Sequence, residues 1–187
     1  MAVVNLNLSN MVDKKSDIAR ILAPALYVLN KLGNKINKHK LFKILYFADK
    51  DHISKYGRTF TEDHYIAMAN GPVPSNLYDY IKLVEGKNKL PVPLDFAAEV
   101  SVYLGVEDPY WVISQKEVDS DFLSRSAIKS LDHSIDAHKN KSFRELTDLS
   151  HDNAWRSAGN NSEISLIEIA KDAGANEEMI AYIKETM

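Results

Sequence analysis

The stretch "NKHKLFKILYFADKDHISKYG", residues 37–57, constrains this chain more than any other. Leu41, Ile44, Leu45, Ala48 and His52 recur at helical spacing, and Phe42, Tyr46, Phe47 and Ile53 widen the stripe beyond the arc a surface helix hides. So broad an apolar surface must be covered from several directions. It predicts a central, largely buried helix from an Asn37 cap to Gly57, with the rest of the fold wrapped around it.

What surrounds that helix reads mostly as more helix. Ser16 is a plausible cap for a first helix carrying Ile18, Ile21, Leu22, Ala25, Leu26 and Leu29 until Gly33. After a turn and a short extended piece at "GRTFTEDHY", the rigid corner "NGPVP" leads to Ser75, a potential cap for a helix with Leu77, Tyr78, Ile81 and Val84 that Gly86 closes. The segment "LPVPLDFAAEVSVYLGVEDPYWVISQKEVD" changes character, and "EVSVYLGV" and "YWVISQ" around "EDP" predict an antiparallel hairpin. Helices return at "SRSAIKSLDHSIDAHKN", capped by Ser124 or Ser126, then at "SFRELTDLSH", "DNAWRSAG" and "SLIEIAKDAGANEEMIAYIKET".

At 187 residues, with 45% hydrophobic and 26% charged residues, the chain has the makeup of one ordinary folded domain. The expected fold is mainly α (α+β): a compact helical domain over residues 16–187 with a small antiparallel β-hairpin or sheet, preceded by an N-terminal tail over 1–15. Without a secretory-type leader or an apolar run long enough to span a bilayer, a soluble, cytoplasmic protein is expected.

The absence of Cys removes disulfides, iron-sulfur clusters, thiolate zinc sites and cysteine nucleophiles. Asp49 and His52 lie one turn apart, and with His64 and His151 they are the candidates for a metal or acid-base site, although D-x-x-H recurs often by chance. Nothing matches a phosphate-binding glycine loop or a G-x-S-x-G nucleophile elbow. No cofactor is expected.

Charge is unevenly placed. Residues 1–60 carry eleven Lys or Arg against four Asp or Glu, and residues 61–187 carry twelve against twenty-two. Such asymmetry can recruit an acidic partner or nucleic acid, but lysines solvating the outer faces of surface helices explain it more simply. Ala170, Gly174 and Ile180 have the spacing of a helix-turn-helix, yet its second helix offers Glu177, Glu178 and Glu185 with only Lys184. Those carboxylates would repel DNA, so a plain helical hairpin is expected, with weak or no nucleic-acid binding.

Several stretches together resemble a known family. "KLFKILYFADKDHISKYGRTFTEDHYIAMANGPVPSNLYDYIK", "LSRSAIKSLDHSI", "LTDLSHDNAWRSA" and "ISLIEIAKDAGANEEMIAYIKE" look like the SocA-like, or Panacea, antitoxin domain, also labelled phage-associated protein GepA, over roughly residues 18–185. The most specific parts are L-x-Y-F-A-D at Leu45 to Asp49 with Y-G-R at Tyr56 to Arg58, the G-P-V-P corner with Tyr78 downstream, and L-S-H-x-x-x-A-W from Leu149 to Trp155. The resemblance implies a non-enzymatic type II antitoxin that neutralises a cognate protein toxin by direct contact, or acts as an adaptor delivering the toxin to a protease. It carries over Tyr46, Asp49, Gly71, Pro72, Pro74, Tyr78, His151 and Trp155 as motif or partner-binding residues, whose alternative role is structural. Three readings stay open: a toxin-neutralising protein, an enzyme using Asp49, His52 and His151, and a DNA-binding autoregulator.

Overall fold

The computed structural model describes residues 8–87 and 94–186. The expectations placed on residues 1–7 and 90–93 lie outside the described residues.

The central helix is α2, Lys38–Tyr56, capped by the Asn37 side chain at the backbone N–H of His39 and ended by Gly57 at φ +70°. It is buried almost all the way round, and it serves two cores. Leu41, Phe42, Ile44, Leu45 and Ala48 join a larger cluster with Leu22, Leu26 and Leu29 of α1 (Leu8–Lys31), Leu77 and Ile81 of α3 (Ser75–Val84), and Leu131 and Ile135 of α5 (Arg125–His138). Tyr46 and Ile53 join a second cluster with Tyr65, Ala67, Ala154, Ile164, Ile169, Ala170 and Ile183. Each fully buried aliphatic side chain contributes about 1.5–3 kcal/mol, so the width of the stripe is explained by demand from both sides.

The helix α1 starts at Leu8, upstream of the expected start after Ser16. No Gly or Pro separates the two positions, so a cap-type residue does not stop the run. Helix α5 is capped by Ser124, which accepts from the N–H of Ala127. Downstream lie α6 (Phe143–Ser150), α7 (Asn153–Ser157), α8 (Leu166–Asp172) and α9 (Glu177–Thr186), and Gly174 at φ +81° turns α8 towards α9.

The expected hairpin is shorter than its apolar pattern. Its strands are β4 (Leu104–Glu107) and β5 (Trp111–Ser114), whereas Glu99, Val100 and Ser101 belong to α4 (Leu94–Ser101). Phe96, Ala97 and Ala98 continue a helix through those positions, and Val100 is fully buried on it. A further strand, β1 (Lys35–Asn37), pairs antiparallel with β5, giving the order β1-β5-β4.

The proline corner is itself a strand. β2 (Tyr65–Met68) and β3 (Gly71–Pro74) form a second antiparallel sheet, with Ala67 opposite Pro72 and Tyr65 opposite Pro74. The chain tolerates prolines there because of register. Ala67 donates to the carbonyl of Ser162 and accepts from Asn161, and the Tyr65 carbonyl accepts from Ile164, so these backbone groups face away from β3. Pro72 and Pro74 therefore occupy non-hydrogen-bonded positions, where β2 requires no N–H.

Helix α3 is capped differently from the expectation. Ser75 is its first residue and makes no side-chain cap; the carboxylate of Asp63 accepts instead from the N–H groups of Asn76 (2.9 Å) and Leu77 (3.0 Å). An anion at a helix start satisfies the same orphan donors and complements the helix dipole.

Candidate functional site

The motif residues gather around α2 and the proline hairpin in three polar arrangements. In the first, the completely buried Asp49 carboxylate accepts from the N–H groups of Phe60 (2.9 Å) and Thr61 (3.3 Å), the Thr61 hydroxyl and the Tyr65 hydroxyl (2.8 Å). Burial pushes its pKa up to about 6 even though all four bonds favour the ionised form. Its task is to pin the loop between α2 and β2.

In the second, the Tyr46 hydroxyl donates to Asp152 (2.8 Å), and the Lys50 ammonium donates to Asp152 (2.6 Å) and to Asp172. The other Asp152 oxygen caps α7 by accepting from the N–H of Trp155 (2.9 Å). One carboxylate thus ties α2 to the start of α7, and Asp172 extends the tie to α8. Asp152 is not among the residues that the motifs single out; its sequence signal is the N-cap position three residues before Trp155.

The third arrangement centres on Lys43. This side chain is fully buried and donates to the carbonyl of Pro72 at 2.8 Å. Because Pro72 sits in a non-hydrogen-bonded pair, its carbonyl points away from β2, and a buried carbonyl needs a donor. Burial lowers the Lys43 pKa to about 7. Gly71, at φ +98°, admits this packing: a Cβ there would lie 2.9 Å from Lys43 Cε and would also meet Ser150 Oγ. His39 Nε2 lies 3.3 Å from the carbonyl oxygen of Asn70 and 3.1 Å from Thr147 Oγ1, and its ring stacks on Phe143 at 4.0 Å. Burial, then the nearby Lys43 charge, lowers its pKa to about 4.

His151 stacks on Trp155 with centroids 3.8 Å apart, and its buried Nε2 has no hydrogen-bond partner. The Trp155 indole N–H reaches back to the Met68 carbonyl at 3.0 Å, so this pair braces the hairpin at the end of β2. Tyr78 meets Phe42 edge-on, with the Lys82 ammonium 4.6 Å from its ring centroid.

Asp49, His52 and His151 are not brought together as an acid-base or metal set. His52 engages the Arg58 carbonyl (2.7 Å) and Ser126 (3.1 Å), His64 lies beside Asp63 at 3.8 Å, and the other two have the partners given above. Among the described residues no group of three His, Cys, Asp or Glu side chains is placed to hold a metal ion. None of their helices is long and apolar enough to cross a membrane.

Between the start of α2, the hairpin and α3 lies an open groove of about 580 Å³. Phe42, Lys43, Met68, Val73 and Tyr78 line it with His39 and Asn70, and Tyr110 and Phe143 form part of its wall while remaining 64% and 54% exposed. Part of the charge asymmetry is met within the fold: Arg20 pairs with Glu62, Lys31 with Asp132, Lys35 with Glu107, Lys38 with Glu85 and Lys50 with Asp152 and Asp172. Sequence alone treated Lys43 as another solvated lysine; its place between Phe42 and Ile44 in a stripe with no polar face was the available signal.

No curated protein and no solved structure matches this chain. The model of the family described as antitoxin SocA-like, Panacea domain, matches residues 41–156, which run from the first buried turn of α2 to α7 and include all the motifs around the hairpin. With more than half of its length matched, the chain belongs to the SocA-like Panacea antitoxin domain family.

Proposed function

We propose that this protein is a type II antitoxin that neutralises a cognate toxin by direct contact, using the groove beside the proline hairpin. The observation that carries this reading is the coincidence of the family's region with a surface whose floor is pinned and whose rim is exposed and aromatic. Tyr46, Asp49, Gly71 and Pro72 hold the scaffold, Asp49 and Tyr46 through buried bonds and Gly71 and Pro72 through the packing of Lys43. Tyr78, Tyr110 and Phe143 present side chains of the kind that anchor protein interfaces.

The test is co-expression with the product of the adjacent gene. Growth should be restored and the two proteins should co-purify, with Phe143→Ala and Tyr110→Ala weakening both effects. Persistent toxicity without a complex sinks the proposal. Toxin levels in strains with and without the cytosolic proteases separate sequestration from adaptor-type delivery: sequestration leaves the toxin abundant in both.

A further inference from the structure

The cations of α2 are not equivalent. Lys38, Lys50 and Lys55 each meet a carboxylate of the same chain. Lys43 lies fully buried beneath the groove, has no carboxylate partner among the described residues, and makes its one hydrogen bond to a neutral carbonyl. The nearby titratable groups are His39 and His151, which add positive charge when protonated and never negative charge. When protonated, below about pH 7, a buried ammonium without a counter-charge projects a field that low-dielectric surroundings screen weakly.

We propose that the groove binds a segment of the protein partner in which a carboxylate side chain adjoins an aromatic or apolar one, the carboxylate seated by His39 and Asn70 above the buried Lys43 and its neighbour against the exposed rings of Phe143 and Tyr110. The inference rests on the antitoxin reading and names the partner chemistry that this reading leaves unspecified. Charge complementarity supplies the carboxylate, and the apolar wall of Phe42, Met68 and Val73 supplies the neighbour. Nucleic acid fits less well. It needs several cations in a row for successive phosphates, whereas Lys38 is already paired to Glu85 at 2.7 Å and Lys40 does not line the groove.

The test uses the isotope-labelled full chain and two capped tetrapeptides, Ac-Gly-Glu-Phe-Gly-NH2 and its Gln counterpart, followed by amide chemical shifts at about pH 6, where Lys43 is charged and the peptide carboxylate ionised. The Glu peptide should move Asn70, Gly71 and Phe143 and bind about 10-fold more tightly than the Gln peptide, equivalent to about 1.4 kcal/mol. Lys43→Met should abolish that preference. Asn70→Asp, a change at an exposed position, should weaken only the Glu peptide, which keeps the test decisive if Lys43→Met fails to fold. Equal binding of both peptides, or shifts located elsewhere, overturns the proposal, as does tighter, salt-dependent binding of a ten-base oligothymidine at the same amides. Because the peptides are read without toxin, a Glu preference in a chain that fails to neutralise toxin counts against the antitoxin reading alone. Neutralisation without a Glu preference counts against this inference alone.

Discussion

Lys43 and Pro72 are joined across 29 positions of sequence by a buried hydrogen bond of 2.8 Å, from an ammonium to a carbonyl that the hairpin itself leaves without a partner. The fold accepts the cost of a buried cation here to satisfy a strand edge made of prolines.

That cost is readable as a pH dependence. The folded-state pKa of Lys43 is lowered to about 7 from 10.5, so between these values the unfolded chain binds more protons and stability rises with pH. We predict a gain of about 1–2 kcal/mol from about pH 7 to pH 9, measured by urea unfolding below the range where tyrosines ionise. Lys43→Met should flatten this rise; an unchanged slope in the variant would show that Lys43 is not its source.

Two further groups oppose one another in mild acid. His39 is lowered to about 4, so the unfolded chain binds the extra proton between about 4 and 6.5 and stability rises with pH there. Asp49 is raised to about 6, so the folded chain binds the extra proton between 3.8 and about 6 and stability falls with pH there. With Lys43 and His151 also facing His39, its share is about 1–2 kcal/mol. Asp49→Asn should therefore expose a positive slope from pH 4 to 6, and His39→Gln a negative one. Identical profiles for both variants would refute the assignment.

Asp152 carries more than one duty. Asp152→Ala removes the α7 cap and leaves the Tyr46 hydroxyl and Lys50 short of an acceptor, for an expected loss of about 2–4 kcal/mol. A double-mutant cycle with Lys50→Met should show coupling above about 0.5 kcal/mol. Strict additivity would mean that the pair contributes no interaction energy.

The hairpin positions should respond unequally. Gly71→Ala meets both a positive φ and the Lys43 and Ser150 side chains, for an expected loss of about 2–4 kcal/mol in thermal or urea unfolding. Pro72→Ala should lose less, about 1–2 kcal/mol, because the ladder uses no N–H at that position and the loss comes from unfolded-chain entropy and from the new buried N–H facing away from β2. If Pro72→Ala is the more damaging of the two, the register argument fails.

Helix α2 was legible in the sequence because its signals are local: an Asn cap, a terminating Gly and a stripe too wide for a surface helix. The Ser124 cap was legible for the same reason. What escaped was set by partners distant in sequence. Asp63 displaces Ser75 as the cap of α3 through loop geometry that no window around Ser75 contains. The prolines disguised β3, since only the Ser162 and Ile164 contacts on the far side of β2 reveal that the ladder spares their missing N–H groups. At the candidate site, Tyr46, Gly71 and Trp155 were visible as motif letters, but Lys43 and Asp152 acquire meaning only when α2, β3 and α7 meet.

The double service of α2 sets an order on biosynthesis. Its Tyr46 and Ile53 face is translated early, yet Ile164, Ile169, Ala170 and Ile183, which help cover it, emerge much later. At about 5–20 residues per second, roughly 6–26 s separate the synthesis of Ile53 from that of Ile183. During that interval the face carrying Tyr46 and Ile53 lacks residues that cover it in the folded chain, so this half of the core closes only when translation is nearly finished.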